Sequence, residues 1–352
     1  MTVQSISAAD AIARLADFDT VIDARTEDEF ADDRMPRAEN WPSLHNEERV
    51  EIGTMYKQVS PFEAKKRGAG LVAANIARHI EAHVQDKPRG WKPLAYCWRG
   101  GKRSGALAIV LDQIGFRVHV VEGGYKAFRL EVLAQIPALA QQLDFRVVCG
   151  PTGSGKTRLL HALRDAGAQV LDLEDLANHR SSVLGTIPGV EQPSQKAFDT
   201  LVWNALRSFD AARPVFVESE SRKVGNVAVA EALIARMRAS ECIALELPDD
   251  ERVRLLMEDY DFFVHDRDLF CDRLGALTQL RGKAVVADWQ AKVGAGEFED
   301  VVRELLLKHY DPGYAASIRR NFTHYGAART LTLPDRSAPS MARAAAQLAA
   351  GN

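Results

Sequence analysis

Short apolar runs alternate with longer amphipathic stretches along roughly the first 137 residues. Three of these runs have the length and composition of buried strands: residues 20–25, 94–96 and 117–121. The first is followed by the acidic residues 27–29, which favour a helix start, and another helical pattern over 104–115 ends at Gly115. This alternation predicts an α/β domain with a doubly wound, mostly parallel sheet covered by helices.

A second alternating pattern begins with the apolar run Phe145–Cys149 and continues with strand-like runs at 169–173, 214–218 and 242–247. Helical periodicity dominates after residue 249 and is clearest over 251–279 and 296–309, while the alanine-rich residues 338–350 predict a terminal helix. We therefore predict two domains, residues 1–137 and 145–352, joined by residues 138–144. The second is an α/β domain with a helical C-terminal portion.

The composition of the 352 residues, 46% hydrophobic and 26% charged, is typical of a globular protein. No apolar run approaches the ~20 residues that span a bilayer, and the first residues do not resemble a signal peptide. The four cysteines lack C-x-x-C spacing, which argues against a zinc site and a disulfide framework. We expect a cytoplasmic monomer without membrane contact. Because the net charge is -3, RNA binding would need a local basic patch.

The loop CWRGGKRS at residues 97–104 places a thiol at the mouth of a glycine-rich, cationic turn. A cysteine between a strand end and a helix start feels the positive end of the helix dipole, and nearby cations add to that effect. We therefore predict that Cys97 is a catalytic nucleophile. The glycines allow successive N–H groups to face an anion. The predicted anion loop consists of Arg99, Gly100, Gly101, Lys102 and Arg103.

The spacing between Cys97 and Arg103 is compatible with two chemistries. The thiolate could attack a phosphoester while the arginine holds the phosphoryl oxygens. It could instead carry sulfur or selenium.

The segment GPTGSGKT at residues 150–157 satisfies the pattern G-x-x-x-x-G-K-[ST] and lies between a predicted strand and a predicted helix. Lys156 would reach the terminal phosphate oxygens, and Thr157 would offer its hydroxyl to a Mg²⁺ ion. This loop recognises a polyphosphate but does not distinguish one base from another. The predicted diphosphate-binding residues are Gly150, Gly153, Ser154, Gly155, Lys156 and Thr157.

Three further groups are weaker candidates. Arg180 could contact phosphate or belong to a capped polar turn, and Glu218 and Glu220 end a strand where P-loop enzymes usually carry aspartate. The guanine-reading pattern N-K-x-D is absent from the sequence, so the sequence predicts phosphate binding more firmly than ATP hydrolysis. Arg319 and Arg320 precede a histidine and a tyrosine and form the best late basic-aromatic group for RNA, although a solvated helix face would look similar.

The first domain resembles rhodanese domains. The similarity lies in VIDARTEDEF at residues 21–30, MPRAEN at 35–40 and VEGGYKAF at 121–128. It favours sulfur or selenium chemistry at Cys97 over phosphoester attack. The full arrangement, a rhodanese-like domain followed by a P-loop NTPase-like domain, resembles the tRNA 2-selenouridine synthase family. That resemblance rests on YCWRGG at residues 96–101, GGYK at 123–126, the phosphate loop, NHR at 178–180, QPSQK at 192–196 and VESES at 217–221.

The resemblance implies replacement of sulfur by selenium at C2 of a wobble 2-thiouridine in tRNA, with selenophosphate as the donor. It also implies an S-geranylated intermediate made from geranyl diphosphate, which would occupy the phosphate loop, and no tightly bound cofactor. Two alternatives stay open at this point. One is a sulfurtransferase with an ATP-hydrolysing regulatory domain, and the other is a small-molecule or nucleotide kinase with an accessory rhodanese domain.

Overall fold

The computed structural model describes residues 3–182 and 184–351, and these residues form two compact units. The first unit contains the described residues up to Gln135 together with Lys196–Asn204, and the second contains Ile136–Gln195 and the residues from Ala205 onward. The predicted boundaries at residues 137 and 145 stay a prediction. No helix in the described part of the chain is long and apolar enough to cross a membrane.

The first unit is built on a five-stranded sheet in the order β1-β5-β4-β2-β3, in which every pair of neighbours is parallel. Its strands are β1 (Gln4–Ile6), β2 (Thr20–Asp23), β3 (Ala38–Asn40), β4 (Pro93–Tyr96) and β5 (His119–Val121). Its helices are α1 (Ala8–Ala13), α2 (Glu27–Asp32), α3 (Asn46–Gln58), α4 (Pro61–His83), α5 (Lys102–Ile114) and most of α6 (Gly124–Gln142). The three strands predicted for this region are confirmed, and the predicted parallel α/β class is correct.

Local sequence signals explain where two of these helices begin and end. Thr26 and Glu29 form a reciprocal capping box that satisfies backbone N–H groups at the start of α2. Helix α5 ends at Gly115, whose φ of 112° is the left-handed conformation predicted for a glycine helix stop. Apolar side chains from the sheet and from α4 and α5, including Ile22, Ile76 and Leu107, form a buried core of this unit.

The second unit contains another fully parallel five-stranded sheet, in the order β12-β11-β6-β8-β7. Its strands are β6 (Phe145–Cys149), β7 (Gln169–Leu171), β8 (Val215–Glu218), the short antiparallel pair β9 (Lys223–Val224) and β10 (Val227–Ala228), β11 (Glu241–Glu246) and β12 (Arg329–Thr332). The strands predicted at 145–149, 169–173, 214–218 and 242–247 are confirmed to within a few residues. Strand β12, which completes the sheet edge, carries too few apolar residues to stand out in the sequence.

The helices of this half of the chain are α7 (Lys156–Asp165), α8 (Leu173–Ala177), α9 (Gln195–Ser208), α10 (Glu231–Arg238), α11 (Asp249–Asp259), α12 (Asp261–His265), α13 (Arg267–Gly275), α14 (Thr278–Arg281), α15 (Lys283–Ala295), α16 (Phe298–Leu305), α17 (Asp311–Asn321) and α18 (Ala338–Ala350). The helical run predicted over 251–279 is divided among α11 to α14. The terminal helix lies where it was predicted. Among the described residues, one apolar core lies between the sheet, α7 and α18, and another lies among α13, α15 and α16.

Candidate functional sites

The thiol loop joins the end of β4 to the start of α5, as expected for a residue at the carboxyl edge of a parallel sheet. Its backbone lies directly against the segment that begins α6, where Tyr125 donates its N–H to the carbonyl of Cys97 over 2.8 Å. Gly124 has a φ of +58°, and a Cβ on it would lie 2.1 Å from the same carbonyl oxygen. Gly100 is constrained in the same way, since a Cβ there would lie 2.4 Å from the carbonyl oxygen of Val121. The glycines therefore permit this close approach.

Cys97 lies at the base of the loop, and only 4% of its surface is exposed. Its Sγ accepts hydrogen bonds from the N–H of Gly101 and the hydroxyl of Ser104, both over 3.3 Å. Burial raises the pKa of a thiol, but these bonds and further backbone N–H groups outweigh it and hold the pKa of Cys97 below its usual value. The arrangement favours a thiolate, which is the nucleophilic form.

The three cations of the loop have different surroundings. Arg99 and Lys102 are exposed, as a group must be if it is to meet a phosphate arriving from solvent. Arg103 is ion-paired to Glu29 over 2.7 Å. Burial raises the pKa of Glu29, but this arginine outweighs it and holds the pKa below its usual value. The phosphate-clamping role suggested for Arg103 would require this ion pair to open.

The phosphate loop joins β6 to α7, which is the strand-to-helix context that the motif requires. Lys156 donates from Nζ to the carbonyl of Gly150 over 2.9 Å, so its ammonium group lies over the loop itself. Thr157, in the first turn of α7, donates its hydroxyl to Glu174 over 3.3 Å. The cradle is therefore formed with a cation and a hydroxyl at the positions that the sequence predicted.

Three carboxylates meet beside the phosphate loop: Glu174, Glu218 and Glu220 each offer an oxygen within 4.8 Å of the other two. Burial, followed by the charges of the neighbouring carboxylates, raises the pKa of Glu218 well above its usual value. Burial is also the main cause that raises the pKa of Glu174 to about 7 and that of Glu220 to about 8. One oxygen of Glu218 is buried without a hydrogen-bond partner in the described structure.

Carboxylate and hydroxyl oxygens are the ligands that Mg²⁺ prefers, and the unpartnered oxygen of Glu218 could act as one of them. The residues present therefore fit a Mg²⁺ ion bound by this carboxylate cluster, with Thr157 beside it.

A cavity of about 560 Å³ extends from the phosphate loop and is lined by residues of α7, β8, α11 and α17. Its wall carries buried polar atoms with no hydrogen-bond partner in the described structure. They are Oε1 of Glu218, Oγ of Ser219, Nε of Arg238 and the hydroxyl of Tyr314. Since buried polar groups in folded proteins are almost always paired, these atoms are available to hydrogen-bond with water or a ligand in the cavity.

Arg180 also lines this cavity, with its guanidinium 4.7 Å from the ring centre of Tyr260 and bonded to the carbonyl of Asp259. The next residue, Ser181, donates its hydroxyl to Glu220 over 2.5 Å. The structure thus brings the tentative candidates Arg180, Glu218 and Glu220 together around the phosphate loop. The other tentative pair, Arg319 and Arg320, is exposed on α17, a helix that contributes other residues to the cavity wall.

A smaller cavity of about 40 Å³ adjoins the first, since both are lined by Thr152, Leu256, Tyr260 and Tyr310. Its remaining wall is almost entirely apolar and includes Leu184, Phe263, Phe270, Val302, Leu305 and Leu306. The phosphate loop and an apolar, aromatic-lined recess therefore lie side by side in the second unit.

Several site residues were missed from the sequence: Ser104, Glu174, Arg238 and Tyr314. Ser104 follows the cationic loop directly, so its place in the first turn of α5 could have identified it as a donor to the thiol. The other three lie on α8, α10 and α17, far from the motif in sequence. No local pattern distinguishes them, because only folding brings them to the cavity.

Both halves of the chain match models of known protein families. A family model described as the tRNA 2-selenouridine synthase AAA domain matches residues 143–281, and the rhodanese-like domain model matches residues 7–131. The tRNA 2-selenouridine synthase of Nitrosomonas europaea is 36% identical over 247 residues, which cover 68% of this chain and 63% of that protein. This alignment thus spans less than two thirds of that relative.

The tRNA 2-selenouridine synthase of a Sulfurovum species is 30% identical over 329 residues, covering 86% of this chain and 89% of that protein. Among solved structures, a rhodanese-related protein from Thermoplasma volcanium is 23% identical, with a TM-score of 0.23, covering 36% of this chain and 92% of that one.

Proposed function

The chain belongs to the tRNA 2-selenouridine synthase family, and on this premise we propose that it replaces sulfur by selenium at C2 of a wobble 2-thiouridine in tRNA. The observation that carries the proposal is the presence in one chain of a thiolate-stabilising loop and a separate polyphosphate cradle. A sulfur-for-selenium exchange needs a way to make the sulfur leave and a nucleophile at the carbon that it leaves.

The first step is S-alkylation by geranyl diphosphate bound at the phosphate loop. The thiocarbonyl sulfur attacks C1 of the geranyl group, the C1–O bond breaks, diphosphate departs, and the uridine ring loses its N3 proton. Lys156 and the loop N–H groups stabilise the departing negative charge. Mg²⁺, held by the carboxylate cluster with Thr157 beside it, would supply further charge neutralisation when bound.

The wall of the cavity in the second unit and the chemistry of alkyl transfer both support a prenyl diphosphate as the ligand instead of a nucleotide. The cavity wall beside Thr152 continues into the apolar recess of Leu256, Phe263 and Phe270. A ligand with a polyanionic head and a hydrocarbon tail matches this change from polar to apolar wall. The alkyl transfer also requires no nucleotide hydrolysis.

In the second step selenium replaces the alkylated sulfur. The thiolate of Cys97 adds to C2 and the C2–S bond breaks, releasing geranyl thiol after proton uptake. Selenophosphate then displaces Cys97 through its selenium, and water cleaves the P–Se bond to give phosphate. Selenium in selenophosphate is already reduced, so carrying it on Cys97 as a selenosulfide would need an oxidant, whereas this route needs none.

The test is mass spectrometry of the nucleosides of tRNA treated with the protein, selenophosphate and geranyl diphosphate. Cys97→Ala should accumulate S-geranyl-2-thiouridine without selenouridine, and Lys156→Ala should form neither product. Cys271→Ala and Lys283→Ala serve as matched controls and should behave as wild type. Selenouridine formation by Cys97→Ala would overturn the role of the thiol. Loading of Cys97 by thiosulfate would support the sulfurtransferase alternative, and ATP turnover without tRNA would support the kinase alternative.

A further inference from the structure

Helices α3 and α4 form a helical hairpin on the first unit. Arg67 of α4 is ion-paired to Glu51 of α3 over 2.8 Å, and Gly68 lies against Ile52. Further along α4, Asn75 donates to Glu48, which lies earlier in α3, over 2.7 Å. Because the partner's number falls from 51 to 48 as the number in α4 rises from 67 to 75, the two helices run antiparallel. Helix α3 contains no fully buried residue, so it contributes little to the core.

The turn of this hairpin exposes apolar side chains that a protein core would normally absorb. Tyr56, Val59 and Phe62 expose 53%, 70% and 66% of their surface. We call residues 56–66 the hairpin tip. Clustered exposed aromatic residues usually mark a binding surface, because leaving them in water has a cost that a function must offset.

The hairpin tip is also basic in a chain whose net charge is -3. Residues 56–66 include three lysines and one glutamate, a difference of +2. Glu63 is ion-paired to Lys66 over 2.9 Å, and within the described structure Lys57 and Lys65 form no ion pair. The two lysines therefore flank the exposed aromatic rings with uncompensated positive charge.

The base of the hairpin is tied to the thiol loop by hydrogen bonds. Asn75 of α4, which is 1% exposed, donates to the carbonyl of Ser43, and the Ser43 hydroxyl donates to the carbonyl of Arg103 over 3.1 Å. Helix α3 has 13 residues and extends about 20 Å from this base. A ligand that reaches Cys97 could therefore also contact the tip if it is a long polymer.

We propose that the hairpin tip binds unpaired nucleotides of the tRNA substrate, with Tyr56 and Phe62 stacking on bases and Lys57 and Lys65 contacting phosphates. This inference rests on the proposed function for the identity of the RNA. Aromatic rings interleaved with cations are the surface that single-stranded RNA uses. A protein partner fits less well, since lysine is depleted at the centres of protein interfaces.

The test measures the dissociation constant of the full-length protein for 2-thiouridine-containing tRNA at several salt concentrations. Tyr56→Ala with Phe62→Ala should weaken binding about tenfold or more, since stacking on each ring contributes measurably. The conservative double exchange Tyr56→Phe with Phe62→Tyr should keep the affinity of the wild-type protein, because both aromatic rings remain. Lys57→Glu with Lys65→Glu should weaken binding and reduce the slope of log affinity against log salt by about two. The single exchange Lys57→Glu is compared with Lys92→Glu, at an exposed lysine of the same unit, as its charge-matched control.

Photo-crosslinking of the wild-type protein to tRNA gives a second measurement that does not depend on the folding of any variant. The crosslinked peptide should contain residues 56–66. The inference is overturned by the following set of results: the wild-type protein forms selenouridine in tRNA, the tip variants bind tRNA as tightly as Lys92→Glu does, and no crosslink falls in the hairpin tip. The tip would then serve another partner. If wild-type protein neither binds nor modifies tRNA, the proposed function itself fails.

Discussion

The reactivity of Cys97 depends on a balance between burial and hydrogen bonding. Burial alone would keep the thiol protonated, and the donors on α5 and the loop reverse this. The cations that make the loop conspicuous in sequence contribute less than their number suggests, because Arg103 is engaged by Glu29. The hydroxyl of Ser104 instead touches the sulfur directly.

We therefore predict that Ser104→Ala slows alkylation of Cys97 at neutral pH about fivefold, because a hydrogen bond contributes about 1 kcal/mol and this one favours the thiolate. The pH profile of alkylation should move to higher pH, since the pKa of the thiol rises when the donor is lost. Peptide-resolved mass spectrometry after iodoacetamide treatment measures this rate separately for each cysteine. Ser208→Ala is a control distant in sequence, and an unchanged pH profile for Ser104→Ala would refute the assignment.

The carboxylate cluster makes the stability of the second unit depend on pH. Burial raises the pKa values of Glu174 and Glu220 to about 7 and about 8, with a further contribution from a neighbouring carboxylate, Asp172 for Glu174 and Glu174 for Glu220. An unfolded glutamate titrates near ~4.3. Between these values the folded state keeps protons that the unfolded state has lost, so stability should fall as pH rises from about 4.5 to 8.

Glu220→Gln cannot ionise and should reduce this fall. We expect its melting temperature to exceed that of wild type by about 2–4 °C at pH 8.5, the change that about 1 kcal/mol produces in a unit of this size, and to match it at pH 5. Calorimetry across this pH range checks the prediction, and Glu231→Gln on α10 is the control. Addition of Mg²⁺ should raise the melting temperature of the wild-type protein at pH 8.5. If the melting temperatures of Glu220→Gln and the wild-type protein differed by the same amount at every pH, the prediction would be contradicted.

The strand-to-helix connection around Cys97 shows that the shape of a short loop depends on the backbone packed against it. The thiol loop keeps its shape because the start of α6 packs beneath it without side chains between the two backbones. The N–H groups of Tyr125 and Lys126 bond to the carbonyls of Cys97 and Trp98 over 2.8 and 3.1 Å. The glycine pair at the start of α6, Gly123 and Gly124, is thus part of the thiol site, although it lies more than twenty residues downstream of Cys97.

Gly124→Ala should therefore damage the loop, since the new Cβ would lie 2.1 Å from the carbonyl oxygen of Cys97 at a φ of +58°. We expect a loss of about 2 kcal/mol or more of stability and a shift of Cys97 alkylation to higher pH, because the damaged loop loses N–H groups that favour the thiolate. Gly105→Ala is the matched control. It lies in α5 with nothing within 4 Å of its Cβ, so alanine should be neutral or stabilising there. Equal melting temperatures for the two variants would refute the argument.

The division of the chain into units does not follow the order of the sequence. Residues Lys196–Asn204 of α9 belong to the first unit, although they follow the phosphate loop. Trp203 is fully buried there with its ring centre 5.7 Å from that of Phe128, and Thr200 donates its hydroxyl to the buried Asp33 over 3.0 Å. The rhodanese-like fold is thus completed by a segment that lies beyond its apparent end.

From this we predict that Trp203→Ala in the full-length protein destabilises the first unit by about 3–5 kcal/mol, the usual cost of removing a buried tryptophan. Hydrogen exchange followed by mass spectrometry should show lost protection in strands β2 and β4. Leu201→Ala, an exposed position on the same helix, should leave protection unchanged. Wild-type protection of β2 and β4 in Trp203→Ala would show that the first unit folds without this segment.

Local sequence was sufficient to predict much of the fold of this protein and the positions of its two loop motifs. Strand runs, helix stops and the two loop motifs depend on the identities of residues a few positions apart, which is why β6, the stop at Gly115 and the loop around Cys97 could be predicted. The parallel α/β class followed from the alternation of elements. The resemblance of these motifs to the tRNA 2-selenouridine synthase family pointed correctly to the family that the chain belongs to.

Tertiary structure decided what surrounds the motifs. Glu174, Glu218 and Glu220 become one cluster only because β7 and β8 are neighbours in the sheet, and Arg238 and Tyr314 reach the cavity from helices remote in sequence. Arg103 is paired by a residue 74 positions away, and the exposed tip of α3 and α4 cannot be distinguished from a buried hairpin by its sequence. These features depend on contacts between distant residues, whose charges and burial no local pattern records.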